Sequence, residues 1–119
     1  MSNRRQRQVN HAIRRELSDL LAREVSDPRI NGIVSVTEVD VSPDLMQAKV
    51  FVSVMGNEQE KAEVFAGLES ASYFLRRELG KRIRLRRIPK LIFTRDDSLE
   101  KGGYLLQLID QSTTDSPDN

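Results

Sequence analysis

Apolar residues recur at spacings of three and four near the start of the chain, at Val9, Ile13, Leu17, Leu20, Leu21 and Val25. That is the period of one helical face, and Arg14, Arg15, Asp19 and Arg23 fall between them. A long amphipathic helix is predicted, ending at Asp27-Pro28 because the residue before a proline is pushed out of the helical region. Gly32 opens the next element. From Ile33 to Val41 the chain is rich in β-branched residues and the period shortens to two. In a regular strand Val34 and Val36 take one face, and Ile33, Val39 and Val41 the other. Ser42-Pro43-Asp44 is turn chemistry. A second strand, Gln47 to Val54, sets Ala48, Val50, Val52 and Val54 on one side. The pair predicts an antiparallel hairpin with a connection longer than two residues, closed by Gly56-Asn57.

Helical spacing returns from Glu58 to about Ile83, carried by Val64, Leu68, Ala71, Leu75, Leu79 and Ile83. Ser70, Ala71 and Ser72 interrupt it with weak helix formers, so a kink or break is expected there. Pro89 blocks continuation, and Lys90 to Thr94 reads as a short third strand. Asp97 with Glu100 matches a capping box for a last helix carrying Leu105, Leu106, Leu108 and Ile109. The order is α-β-β-α-(kink)-α-β-α, an α+β fold with a three-stranded sheet and helices packed on one face. Residues 1–110 form one domain in this reading, and the Ser/Thr/Asp/Pro-rich residues 111–119 a disordered tail.

The 119 residues suffice for one such domain and one core. No apolar run approaches the ~20 residues of a membrane span, and no signal-like stretch follows the N-terminus. The chain has no cysteine, which excludes disulfides and thiolate chemistry. A cytoplasmic protein is expected. Charge changes the picture most. Of the 19 Lys and Arg, eight lie in residues 76–90 with a single acid, Glu78, among them. Like charges at that density repel and destabilise the fold, which points to an anionic partner.

Catalytic groups are not evident. The one histidine, His11, has no positioned partner in the sequence and reads as a partly exposed helix residue. Asp96-Asp97 is explained by helix capping without a metal, and no Gly-rich phosphate loop is present. No enzyme, cofactor or metal is therefore expected. The basic run Arg76, Arg77, Lys81, Arg82, Arg84, Arg86, Arg87 and Lys90 is the candidate site. Its excess of Arg over Lys suits bidentate phosphate contacts. If the helix runs past Gly80, then Tyr73, Arg77, Lys81 and Arg84 form one stripe opposite Ala71, Leu75 and Leu79. An aromatic heading a cationic row suits single-stranded or looped RNA, although a bend could instead rotate Tyr73 into the core. Arg4, Arg5 and Arg7, with Arg14 and Arg15, extend the surface or simply face solvent. A different class of function, an adaptor docking an acidic protein through this basic face, fits the same charge pattern.

The blocks Ser26-Asp27-Pro28-Arg29, Val34-Ser35-Val36-Thr37-Glu38-Val39, Ser42-Pro43-Asp44-Leu45, Phe74-Leu75-Arg76-Arg77-Glu78-Leu79, Leu85-Arg86 with Pro89, and Asp97-Ser98 with Gly102 together resemble the bacterial ribosome-binding factor A family. The resemblance implies a K-homology-like fold of type II with an added C-terminal helix. It also implies a non-enzymatic factor that binds the free small (30S) ribosomal subunit and helps mature the 5′ end of 16S rRNA, with particular importance in the cold. Its implied partners are the 16S rRNA, neighbouring ribosomal proteins and other assembly factors; a monomer is expected. The Gly-x-x-Gly clamp of ordinary K-homology domains is missing. The family's Ala-x-Gly kink reads Ala71-Ser72-Tyr73 here. Tyrosine is strained at the positive φ that glycine adopts freely, so the expectation is a milder kink or one built from Ser70 and Ser72.

Overall fold

Two helices and three strands follow one another in a computed structural model that describes residues 3–23 and 34–98. They are α1 (Arg4–Arg23), β1 (Val34–Val41), β2 (Gln47–Val54), α2 (Glu58–Arg82) and β3 (Lys90–Arg95). The end of α1 at Asp27-Pro28, Gly32, the Asp97/Glu100 box, the C-terminal helix and the tail lie partly or wholly outside the described residues.

The sheet order is β1-β2-β3, with β1 antiparallel and β3 parallel to the central β2. A parallel neighbour cannot be reached by a tight turn, and α2 supplies the crossover. Val9, Ile13, Leu17 and Leu20 of α1 and Val64, Leu68, Leu75 and Leu79 of α2 join the strand valines, Ala48 and Leu91 in one core. The hairpin and the inward faces of both helices thus match their sequence pattern.

β1 departs from the expected alternation. Val36, Val39 and Val41 are all buried, and Val34 packs against the same core. The cause is a bulge: pairing with β2 shifts between Val36 and Glu38, leaving Thr37 without a partner. One extra residue reverses the side-chain alternation, so Val34 and Val36 before it and Val39 and Val41 after it face inward together. The Thr37 hydroxyl donates to the carboxylate of Asp96, which follows β3, and lies 3.2 Å from the Phe51 carbonyl of β2. The bulge is thereby tied across the whole sheet.

The expected division at Ser70-Ala71-Ser72 is also corrected, because α2 runs through it as one helix. The only described non-glycine residue with positive φ is Leu45, so Tyr73 stays in ordinary helical space. Fully buried Leu68, Leu75 and Leu79 hold both halves of the helix on one core, which outweighs the few tenths of a kcal/mol that serines cost in a helix. Asn57 caps α2: its side chain accepts from the Glu60 N–H at 2.8 Å, and Glu60 accepts from the Asn57 N–H at 3.0 Å. Gly56 has φ +141°, and a Cβ there would come within 3.1 Å of the Glu60 Cβ. Gly56→Ala is expected to cost about 1–2 kcal/mol, read as a lower urea midpoint.

Candidate nucleic-acid interface

The chain between α2 and β3 alternates apolar and basic side chains. Ile83, Leu85 and Ile88 pack against the core and Pro89 is fully buried, while Arg84, Arg86, Arg87 and Lys90 are exposed. The backbone leaves the helix at Ile83, whose φ of −120° and ψ of 131° are extended. It then rejoins the sheet where the Lys90 N–H donates to the Met46 carbonyl at 2.9 Å. From beneath, Arg76 Nη2 donates to the Ile88 carbonyl at 3.1 Å. The result is a fastened loop with its cations pointing outward. Arg84, Arg86 and Lys90 make no hydrogen bond or ion pair through their side chains among the described residues, and Arg87 reaches only the Met46 sulfur, at 4.0 Å.

The eight cations read from the sequence do not form one surface. Arg82 is turned inward, its side chain 23 % exposed, with Nη1 2.7 Å from Asp19 and 3.4 Å from Glu16. It clasps α1 to α2. Arg76 is half-buried against the loop, and its Nε is enclosed with no hydrogen-bond acceptor. Arg77 lies 5.6 Å over the Phe74 ring, within cation–π reach, and Lys81 pairs with Glu78 at 3.0 Å; both stay more than half exposed. Tyr73 is 76 % exposed, well clear of the core. Tyr73, Arg77 and Lys81 therefore share a helical stripe. Arg84, expected to continue it, belongs to the loop instead because the helix ends at Arg82.

The N-terminal cations arrive at the same end of the sheet. Gln6 Nε2 donates to the Val41 carbonyl at 3.1 Å, and the Val41 N–H donates to Asn10 Oδ1 at 2.8 Å. These bonds fasten the start of α1 beside the β1–β2 turn, whose Met46 also receives Lys90. Asn3 and Gln6 form a reciprocal cap, at 2.8 and 3.0 Å. Its sequence signal is Asn-x-x-Gln ahead of an apolar run, which the reading from hydrophobic periodicity passes over. Arg4, Arg5 and Arg7 are exposed in this first stretch of helix, whose first turn contains no acid. Cations at a helix N-terminus oppose the macrodipole at roughly 0.3–1 kcal/mol each. In α2 the charges are arranged favourably, with Glu58 and Glu60 first and Lys81 and Arg82 last.

Arg95, by contrast, is neutralised within the molecule. At the opposite end of the sheet Arg95 bridges Glu58, at 2.7 Å from Nη2, and Asp97, at 2.7 Å from Nε. The hydrogen bond from Arg95 holds the Glu58 carboxyl below its ordinary range. Likewise the Arg82 hydrogen bond lowers Asp19, with burial opposing and Arg23 assisting. A carboxyl lowered on folding contributes stability that is present above its unfolded pKa and disappears as pH falls through its folded one. Asp19→Asn is therefore expected to flatten the acid limb of the Tm–pH curve below the ordinary carboxylate range and to lower Tm at neutral pH.

Among the described residues no helix is long and apolar enough to cross a membrane, and no cluster of His, Cys, Asp and Glu could hold a metal ion. Comparison with known proteins agrees with the architecture. The family model for ribosome-binding factor A matches residues 5–109. The ribosome-binding factor A of Microcystis aeruginosa is 51 % identical over 117 residues, 98 % of this chain and 91 % of that protein. The one from Acetivibrio thermocellus is 47 % identical over 105 residues, 88 % and 85 % of the two chains. The crystal structure of ribosome-binding factor A from Thermus thermophilus superposes with a TM-score of 0.68 at 26 % identity, covering 76 % of this chain and 93 % of that one. A homology model of the Thermus thermophilus factor, fitted into a cryo-EM map of a 30S–RbfA complex, has a TM-score of 0.54 at 28 % identity, covering 72 % and 93 %. With the family model spanning the helices, the sheet and the basic loop alike, this chain belongs to the ribosome-binding factor A family.

Proposed function

We propose that this protein is a non-enzymatic assembly factor that binds the free 30S subunit in the cytoplasm as a monomer and promotes maturation of the 5′ end of 16S rRNA. Family membership supplies the partner, since a relative was fitted in complex with 30S. The fold serves as a K-homology-like domain of type II whose RNA contacts come from outside the missing Gly-x-x-Gly clamp. One observation carries the mechanism: Arg84, Arg86, Arg87 and Lys90 stand outward on a loop held by Ile83, Leu85, Ile88 and Pro89. A phosphate backbone arriving there meets a loop whose own backbone is already fastened, so the ordering cost is confined to the basic side chains. Tyr73 offers a ring for an unstacked base, with Arg77 and Lys81 beside it, and Arg4, Arg5 and Arg7 extend the cationic end. Arg76 and Arg82 act by shaping the surface rather than by touching RNA.

The test is a salt series of affinity for purified 30S subunits. Contact with about six phosphates gives a log–log slope near −4 by the single-strand coefficient. A slope near zero overturns the phosphate grip, and co-purification with an acidic protein that survives complete RNA digestion would favour the adaptor instead.

A further inference from the structure

A groove separates the outward face of α1 from the edge of β1 that no described strand pairs, and no residue of the basic loop lines it. Two hollows of about 500 and 190 Å³ adjoin there and share Arg14 and Thr37 in their walls. The helix contributes Arg7, His11, Arg14 and Ser18, which step by four, three and four and so lie on one face. Successive steps advance about 4.5–6 Å along the axis. This is a row of donors rather than a point. The strand contributes residues 34–39, and among the described residues Glu38 is the only acid in either wall. His11 and Arg14 are exposed, and their side chains make no hydrogen bond or ion pair among the described residues.

An edge strand beside a groove invites a peptide to add as a further strand, but two features oppose that here. Both backbone groups of Val41 are already taken by Gln6 and Asn10, and the Thr37 bulge breaks the regular spacing that a partner strand would need. Both are known means of closing an edge to strand addition. What remains is a channel with a cationic wall, whose shape and charge match a linear polyanion. We propose that the α1–β1 groove is a second RNA site, taking a single-stranded segment of rRNA along Arg7, His11 and Arg14 while the basic loop holds another. The proposal rests on the assembly-factor reading for the source of the RNA.

The test uses the full chain and purified 30S subunits. His11→Ala with Arg14→Ala is expected to weaken binding about tenfold and to make the salt slope shallower by about 0.7, one phosphate at the single-strand coefficient. Because the chain has no cysteine, Ser18→Cys can carry a photoreactive label at that position alone. Crosslinks from it to 16S rRNA support the groove, on a chain whose His11 and Arg14 are intact. Unchanged affinity and slope in the double variant, or crosslinks to ribosomal proteins alone, overturn it. Replacing Arg84, Arg86 and Arg87 by alanine in parallel separates the two ideas. Loss in that variant with none in the groove variant leaves the loop reading standing and the groove refuted. The reverse pattern refutes the loop and keeps the groove.

Discussion

Replacing Arg84, Arg86 and Arg87 together by alanine is expected to weaken binding to free 30S subunits by roughly a thousandfold or more without unfolding the protein. Hydrogen bonds to charged groups contribute roughly 1.5–3 kcal/mol each, so three lost phosphate contacts at the low end remove about 4.5 kcal/mol. The salt slope is expected to become shallower by about 2, three phosphates at the single-strand coefficient. Stability should hardly change, because these side chains are exposed and make no ion pair within the described residues. Relieving their mutual repulsion should if anything raise Tm slightly. Filter binding across a salt series and a thermal melt read the two quantities separately. Retained affinity would show that the rRNA contacts lie elsewhere, and a collapsed melt would show that the loop cations belong to the scaffold.

The second large effect is on the scaffold itself. Leu79 has no exposed surface, and its carbonyl accepts the Ile83 N–H at 2.8 Å, the bond that ends α2. Leu79→Ala removes a packed side chain beneath the point where the basic loop departs. Leu→Ala changes in buried sites cost about 2.7–5 kcal/mol, a large share of the ~5–15 kcal/mol that keeps a domain folded. At roughly 3–6 °C per kcal/mol for a domain of this size, Tm should fall by at least about 8 °C. Affinity for 30S should also fall even at temperatures where the variant is folded, since Ile83 and Leu85 lose their footing. A drop in Tm with unchanged affinity would mean that the loop is held by β3 and Arg76 alone.

How much of this was legible in the sequence depends on the range of the interaction involved. The phase of α1 and the β2 span could be read from local periodicity, as could the hairpin, because each depends on neighbours a few residues away. The bulge was also written there: Val34 and Val36 have one parity and Val39 and Val41 the other. A regular strand puts these pairs on opposite faces, and only the single core between helices and sheet shows why an extra residue is favoured over two exposed valines. For α2, the weak propensity of Ser70 and Ser72 suggested a break, but propensity is a local preference and the burial of Leu68, Leu75 and Leu79 is a tertiary one. The basic run was visible as charge and not as geometry. Arg82 sits beside Leu79 on the helix and meets Glu16 and Asp19 of a distant segment, a meeting that no spacing within residues 76–90 encodes. The outward aim of Arg84, Arg86 and Arg87 had a local signal, the apolar residues Ile83, Leu85 and Ile88 interleaved with them.

The parallel pairing of β3 with β2 has a consequence for when the protein becomes competent. The β1–β2 hairpin needs only nearby residues to form, whereas β3 must close the span from Val54 to Lys90 before its pairing offers any return. The Lys90–Met46 bond that orders the cationic loop forms only at that closure. Before that closure the loop lacks its anchor to Met46, so Arg84, Arg86 and Arg87 are not yet held in place. On the reading proposed above, pairing of the last strand is the step that presents the ordered loop to RNA.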